Sequence, residues 1–291
     1  MSDRGGDLEE AAALLLGADS VFVGVGAGFS ADCGLLTYQD VEKAGVSYRD
    51  VCSPDALAKD AGAFFGWVDS CIASYSGAEP HLGYTVLRRL REGSSKAGPK
   101  RMFVLTTNVD GLFQRSGLAE GLCETHGSYS RWQCSGLRRT PGLPSYQSFE
   151  KPCTDEVWPD RPRGTTEEGH PACPHCGKCA RPNVYLFGDT NFLPDQSQER
   201  SLFDFQEELL RSAPSPTAAS PSVVFLELGV GLRLPKISVL FQRLIRRMPS
   251  GAARIIRVNK DPPPSSSHPN TLHFQLSSLE FFTAFSNQYL E

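Results

Sequence analysis

Two segments of the 291-residue chain place polar residues directly after a short apolar run, where they could bind a ligand. The first run, Val21–Val25, is typical of a buried strand and continues into Gly26 and Gly28. Glycine lets the backbone turn tightly and approach a ligand, and a helix that begins after such a turn points unpaired N–H groups at a phosphate. The segment therefore indicates either a phosphate-binding turn or an ordinary glycine-rich turn between a strand and a helix.

The second run, Met102–Thr106, continues into polar residues that include Asn108 and Asp110. His126 follows in the sequence ETHGSY. An amide, a carboxylate and an imidazole near a phosphate-binding turn can hold a nucleotide, and the imidazole can move a proton near neutral pH. One such residue alone is more often structural than functional. Three of them beside a glycine-rich turn favour a ligand site.

Four of the nine cysteines could bind a metal ion. The motif CPHCGKC (residues 173–179) begins with a C-x2-C pair, the spacing that puts two thiolates on one tetrahedral zinc. The second pair lacks this spacing and is separated by a loop-like stretch. Because the surrounding region holds too little apolar material for a core, we predict a structural zinc that stabilises it. The predicted ligands are Cys134, Cys153, Cys173 and Cys176. Cys179 could compete but is interpreted as a free thiol, and His175 as exposed.

The elements that must position these residues alternate between strand and helix. The predicted strands are Val21–Val25, Met102–Thr106, Val223–Leu228 and Arg254–Val258. The predicted helices are Leu8–Leu16, His81–Arg91, Leu202–Arg211 and Ile237–Met248. This alternation favours an α/β fold with a doubly wound, Rossmann-like parallel sheet. Ligands of such sheets bind at the carboxyl ends of the strands, where both polar segments lie.

Two stretches interrupt the alternation and are predicted to form a smaller domain. Residues 41–78 are typical of a helical insertion, with a buried cluster expected at Phe64, Phe65, Trp67 and Val68. Residues 128–182 are rich in Pro, Gly, Cys and Arg and form the predicted zinc-binding insertion. The Rossmann-like domain then consists of residues 1–40, 79–127 and 183–291. Residues 211–222 and 261–270 have the composition of surface loops.

Composition excludes several classes of protein. The formal net charge of −4 gives no reason to expect nucleic acid as a partner. No stretch approaches the roughly 20 apolar residues needed to span a bilayer, and the acidic amino-terminal segment is unlike a secretory or mitochondrial signal. We therefore expect a soluble, intracellular protein without a membrane partner, cytoplasmic in location.

From Val21 to Asn259 the chain resembles a sirtuin, with the family's sequence blocks in the same order. GAGFSADCG is similar to the family's GAGxSxxSG, TTNVDGLFQRSG to TQNIDxLHxxAG, and the HG pair at 126–127 to the catalytic pair. CPHCGKCARPNVYLFGD resembles the second zinc knuckle followed by RPxVVxFGE. LGVGLRLP stands where the family has GTSLxVxP, and RVNKD where it has INxE. The match is closest to a divergent, mainly microbial-type branch.

This resemblance implies an NAD-dependent protein-lysine deacylase that releases nicotinamide and acyl-ADP-ribose. The implied catalytic residues are His126, the general base on a ribose hydroxyl, and Asn108, which contacts the nicotinamide ribose. The implied NAD-binding residues are Gly26, Ala27, Gly28, Ser30, Asp32, Asn108, Asp110, Gly229 and Asn259. An acyl-lysine protein or peptide would pair between the two domains like an added strand, flanked by Val184, Phe187 and Gly188.

The sequence departs from the family where the family has GIPxFR. Leu36, Tyr38 and Gln39 replace its proline, phenylalanine and arginine. A glutamine amide cannot reproduce the charge and donor fork of arginine, so two alternatives stay open. One is an NAD glycohydrolase or ADP-ribosyltransferase on the same fold. The other is a non-catalytic module that binds NAD or ADP-ribose. Further replacements are Cys33 for serine, Thr107 for glutamine, Phe113 for histidine and Gly231 for serine.

Overall fold

The computed structural model describes residues 4–93, 101–139, 146–213, 222–231, 235–263 and 268–289. The helices are α1 (Arg4–Gly17), α2 (Ala27–Ala31), α3 (Tyr38–Lys43), α4 (Tyr48–Val51), α5 (Pro54–Lys59), α6 (Ala61–Gly77), α7 (Leu82–Glu92), α8 (Leu112–Arg115), α9 (Gln196–Ser212), α10 (Lys236–Ile245) and α11 (Ser278–Tyr289). The strands are β1 (Ser20–Val25), β2 (Arg101–Thr106), β3 (Leu122–Glu124), β4 (Gly127–Cys134), β5 (Leu137–Arg139), β6 (Tyr146–Phe149), β7 (Ala180–Val184), β8 (Val223–Leu228), β9 (Ala253–Val258) and β10 (Thr271–Phe274).

Six strands form one parallel sheet in the order β10-β9-β8-β1-β2-β3. The register places Val25 of β1 beside Thr106 of β2 and Leu228 of β8, so the loops after these strands meet at one edge. This arrangement confirms the predicted α/β fold. The four predicted strands are β9, β8, β1 and β2 at its centre. Their sequences are continuous apolar runs because central strands are buried on both faces.

The faces of the sheet are covered by two separate cores. On one face Val21, Val23 and Val25 pack in a core shared with α1, α7 and α11. On the other face Phe22 packs in a core shared with α9 and α10. Gly24 allows α10 to approach β1 closely, since a Cβ there would lie 2.3 Å from Cγ2 of Ile237.

The predicted helix bounds need correction at several ends. Helix α9 begins at Gln196 rather than Leu202, because the Asp195 side chain caps the N–H groups of Ser197 and Gln198. Helix α10 ends at Ile245 rather than Met248, and α11 was not predicted at all. Of the predicted surface loops, residues 214–221 and 264–267 lie outside the described residues.

A third core lies in the segments predicted to form the smaller domain. Phe64, Phe65 and Val68 are buried there as predicted, whereas Trp67 is only partly buried. The same core includes Trp132 of β4. The division into two domains stays a prediction.

An antiparallel ladder connects β4 to β7. It pairs Gly127 with Val184 at one end and Cys134 with Ala180 at the other. Within it the buried Arg181 donates from Nη1 to the Val184 carbonyl at 2.9 Å and from Nη2 to Oδ2 of Asp189 at 2.6 Å. Arg181 thereby fixes the segment that follows β7.

Candidate active site

Three predicted site residues form one hydrogen-bonded network at the carboxyl ends of β1 and β2. Nδ2 of Asn108 donates to Oγ of Ser30 at 2.9 Å and to the carbonyl of Gly26 at 3.1 Å. Oγ of Ser30 in turn donates to Oδ2 of Asp110 at 2.7 Å. The parallel register of the two strands brings these side chains together, although they are far apart in sequence.

Local backbone contacts hold this network in place. The N–H of Asn108 donates to Oγ1 of Thr106, and the N–H of Leu112 donates to Oδ1 of Asp110 at 2.9 Å. The intervening Gly111 has φ +71°, a conformation that favours glycine. Burial raises the pKa of the Asp110 carboxyl above its ordinary value, and the hydrogen bond from Ser30 opposes that shift.

The glycines of the turn pack against another loop, which the sequence did not indicate. A Cβ on Gly26 would lie 2.6 Å from the Gly229 carbonyl, and one on Gly28 would lie 2.9 Å from Cα of Gly229. Gly229 itself has φ +60°. The N–H groups of Gly26 and Gly28 donate to the carbonyls of Leu228 and Gly229, respectively. The prediction of unpaired N–H groups is therefore wrong for these two residues, because the loop after β8 already accepts from them.

Two other predicted cofactor residues engage neighbouring loops. Nδ2 of Asn259 donates to the carbonyl of Val230 at 2.7 Å. Oδ2 of Asp32 accepts from the N–H of Leu279 at the beginning of α11, and its Oδ1 lies 3.5 Å from Nζ of Lys260. Both side chains thus hold backbone in place, and their contact with a cofactor stays a prediction.

His126 lies between β3 and β4, and its Nε2 is buried without a hydrogen-bond partner among the described residues. Burial and the charge of Lys236 lower the pKa of His126 to about 4, and a backbone hydrogen bond at Thr107 opposes the shift. The imidazole is therefore neutral near pH 7. Buried polar atoms usually have a hydrogen-bond partner, so the lack of one at Nε2 in the described part of the chain suggests that a ligand provides it.

A cavity of about 380 Å³ brings most of the predicted site residues together. From the loops of the sheet it is lined by Ala27, Ser30, Asn108, Asp110 and His126. From the segment after β7 it is lined by Val184, Phe187 and Gly188. The remaining predicted cofactor residues, Gly26, Gly28, Asp32, Gly229 and Asn259, do not line it. The cavity has the size of an ordinary small-molecule site.

Aromatic residues form one part of the cavity lining, and two of them, Tyr48 and Tyr129, were not singled out from the sequence. The rings of Tyr38 and Tyr48 lie 5.9 and 5.7 Å from that of Phe187. Tyr129, also in the wall, is buried, and its hydroxyl lies 3.8 Å from Sγ of Cys52. Tyr48 in the helical insertion and Tyr129 in the zinc-binding insertion resemble core residues in sequence, so only the fold reveals that they line a cavity.

Gln39, which stands where the family has arginine, lies in helix α3. Thr37 caps α3 by a reciprocal capping box with Asp40, which places Tyr38 toward the cavity. Gln39 does not line the cavity, whereas Leu36 does and is 72% exposed. Gln39, which stands where the family has arginine, therefore contributes no side chain to the lining of this cavity.

A second cavity, of about 430 Å³, lies on the other side of His126. Four residues line both cavities: Thr107, His126, Tyr185 and Lys236. The rings of His126 and Tyr185 have centroids 5.7 Å apart, and Nζ of Lys236 lies 5.2 Å from the centroid of Tyr185. His126 therefore borders both cavities.

The four predicted metal ligands come together in a separate cluster. The sulfurs of Cys134, Cys153, Cys173 and Cys176 all lie within 4.8 Å of one another. The Cys134–Cys176 and Cys153–Cys173 pairs are 3.9 and 3.5 Å apart. Tetrahedral zinc with Zn–S bonds of about 2.3 Å places its sulfurs about 3.8 Å apart, so the donor set fits a closed, structural zinc site.

Cys179 and His175 lie near this cluster but are not part of it, as predicted. Cys179 is buried, and its Sγ lies 3.4 Å from its acceptor, the Ala180 carbonyl. His175 is exposed, its Nε2 lies 2.7 Å from Oε2 of Glu156, and its ring is stacked on that of Trp158.

In the described part of the chain, no helix is long and apolar enough to cross a membrane.

Comparison with known proteins gives matches of sequence and of fold. A sequence profile described as the Sir2 family matches residues 26–206. An NAD-dependent protein deacylase of Thermus thermophilus is 32% identical over 202 residues, which cover 69% of this chain and 70% of that protein.

Solved structures extend the likeness in fold to nearly the whole chain. A Sir2 homologue in complex with NAD superposes with a TM-score of 0.67 at 20% identity, covering 96% of this chain and 92% of that one. Sir2Tm bound to a propionylated peptide gives 0.64 at 18% identity, with coverage of 97% and 98%. At these identities the structures establish the fold alone.

Proposed function

Because the chain belongs to the Sir2 family, we propose that it is an NAD-dependent protein-lysine deacylase. It releases nicotinamide and acyl-ADP-ribose from NAD and an acyl-lysine protein or peptide. The observation that carries this proposal is His126, whose buried Nε2 has no hydrogen-bond partner among the described residues and which lines the same cavity as Asn108 and Asp110. A base and a polar network are thus held in one enclosed space.

When bound, NAD supplies the glycosidic bond that breaks and the ribose carbon that the acyl oxygen attacks. His126 accepts the proton of the ribose hydroxyl at Nε2, a role for which it must be neutral. Its pKa of about 4 keeps it so at neutral pH. Ser30 accepts from Asn108 and donates to Asp110, so both side chains are oriented. Asn108 would then contact the ribose of bound NAD, and Asp110 would hold the nicotinamide carboxamide.

The segment that follows β7 flanks the acyl-lysine. Val184 is paired with Gly127 and held by Arg181, so Phe187 and Gly188 stand at a fixed edge of the cavity. A peptide that lies along this edge can pair with it as an added strand. The aromatic wall excludes water from the acyl group.

One observation favours a second candidate, an NAD glycohydrolase or ADP-ribosyltransferase. Among the described residues that line the cavity there is no arginine, and Gln39 does not face it. Loss of this arginine should impair release of nicotinamide less than it impairs transfer of the acyl group. Water or a protein side chain would then accept the ADP-ribose.

We place the substrate among proteins rather than nucleic acids, because the net charge of −4 provides no electrostatic basis for binding phosphate backbones. The cytoplasm remains the predicted location.

The test is to incubate the purified chain with NAD, with and without an acetyl-lysine peptide, and to follow the products by mass spectrometry. The deacylase produces acyl-ADP-ribose and free lysine only with peptide, and His126→Ala abolishes both. His273→Ala is the matched control, because His273 lies in β10 and lines neither cavity. Nicotinamide release that is equal without peptide would identify the glycohydrolase, and binding of NAD without turnover would identify a non-catalytic module.

A further inference from the structure

Lys236 is an exposed cation at the entrance to the cavity that contains His126. It is the first residue of α10 and lines both cavities together with Tyr185. Its Nζ lies over the Tyr185 ring at 5.2 Å, and Tyr185 is itself 44% exposed. By contrast Cys52 and Tyr129, which also line the first cavity, are buried. Lys236 therefore belongs to the solvent-exposed part of the cavity lining, as do Tyr185 and Leu36.

The other charged groups near this entrance do not neutralise Lys236. Within the described ranges, Lys236 forms no ion pair with a carboxylate. Asp110 is engaged by Ser30 and by the N–H of Leu112. Asp189 is paired with the buried Arg181. Glu199 lines the second cavity but not the first.

We propose that Lys236 selects acyl-lysine substrates that carry an acidic residue next to the acyl-lysine. This inference rests on the proposed function, because it assumes that the acyl-lysine side chain reaches His126 from the exposed end. The residues on either side of that lysine must then stay at the entrance, beside Nζ of Lys236. A carboxylate there gains an ion pair, whereas a second lysine meets a like charge.

The expected size of the peptide preference follows from the solvent exposure of Lys236. A solvent-exposed ion pair changes affinity modestly, so we expect a preference of about threefold for the acidic peptide at low salt. The preference decreases as the ionic strength rises, because salt screens exposed charges.

The experiment compares two acetyl-lysine peptides that differ only in Asp or Lys beside the acetyl-lysine. The ratio of their kcat/KM values is measured for the wild type, for Lys236→Glu and for Arg243→Glu. Arg243 is the matched control, since it is exposed on the same helix and lines neither cavity. We expect the wild type and Arg243→Glu to prefer the Asp peptide, and Lys236→Glu to prefer the Lys peptide.

Equal ratios in all three proteins would overturn the inference while leaving the deacylase activity established. A rise in KM for NAD that is the same with both peptides would also overturn it, because Lys236 would then contact the cofactor. Equilibrium binding of the two peptides in the presence of ADP-ribose, measured by fluorescence anisotropy, needs no turnover. If neither peptide is turned over but binding shows the charge preference, the proposed activity fails and the selectivity stands.

Discussion

Replacement of Ser30 by alanine tests the network that links Asn108 to Asp110. The hydroxyl accepts from Nδ2 of Asn108 at 2.9 Å and donates to the carboxylate of Asp110 at 2.7 Å, and Ser30 is only 4% exposed. Its removal leaves one buried amide hydrogen and one carboxylate oxygen without this partner. We expect the free energy of unfolding to fall by about 2 kcal/mol at neutral pH.

Part of this loss depends on pH, and its sign follows from Asp110. Burial holds the pKa of folded Asp110 above its ordinary value, so ionisation of this group destabilises the fold as the pH rises from the ordinary range to the raised value. The hydrogen bond from Ser30 lowers that pKa, and Ser30→Ala therefore raises it further. The extra loss is absent below the raised pKa of Asp110 in the wild type and complete above the still higher pKa in Ser30→Ala.

The assay is urea unfolding followed by tryptophan fluorescence over a series of pH values. Ser53→Ala is the control, because Ser53 is also buried but, among the described residues, its hydroxyl accepts from the N–H of Ala56, a neutral group, and from no other. We expect a loss of about 1 kcal/mol from this cap at every pH. If the loss in Ser30→Ala were equally independent of pH, the coupling between Ser30 and ionised Asp110 would be refuted.

Three further predictions concern the base, the metal and the glycine turn. With a pKa of about 4 for His126, kcat/KM should show no His126-dependent decrease between about pH 8 and about pH 6; an inflection there would mean that the imidazole is not neutral. Cys173→Ser should lower both the zinc content and the melting temperature, whereas Cys179→Ser should keep about one zinc per chain; equal zinc loss in both would contradict the ligand set. Gly229→Ala should destabilise the fold by about 3 kcal/mol in urea unfolding, because its Cβ would lie 2.2 Å from the Phe29 nitrogen; Gly231→Ala, whose Cβ would meet no described residue within 4 Å, should be nearly neutral, and similar losses would refute the backbone contact.

Much of the fold was predictable from sequence because its central strands are long apolar runs. Val223–Leu228 was predicted with its observed bounds, and the other three central strands to within one residue. The edge strands β3 and β10 have only three and four residues, so they are too short to show such a run. Side-chain caps such as Asp195 decide where helices begin, and periodicity alone does not locate them.

The candidate site was predictable to the extent that its residues lie at strand ends. Asn108 and Asp110 were recognised from their positions after an apolar run and His126 from the sequence ETHGSY, and all three line one cavity. The partners of Gly26 and Gly28 were not predictable, since the loop after β8 is remote in sequence. The same holds for Lys236, whose exposed position on α10 resembles an ordinary solvated helix face.

The β4–β7 ladder joins the metal centre to the reaction site through covalent and hydrogen-bonded structure. Cys134 is the last residue of β4, and the strand begins at Gly127, directly after His126. On the partner strand, Ala180 faces Cys134 and Val184 faces Gly127. A zinc ion bound at one end would hold these two strands together, and the base and the peptide edge adjoin their other end. We therefore expect loss of the metal to weaken peptide binding as well as folding.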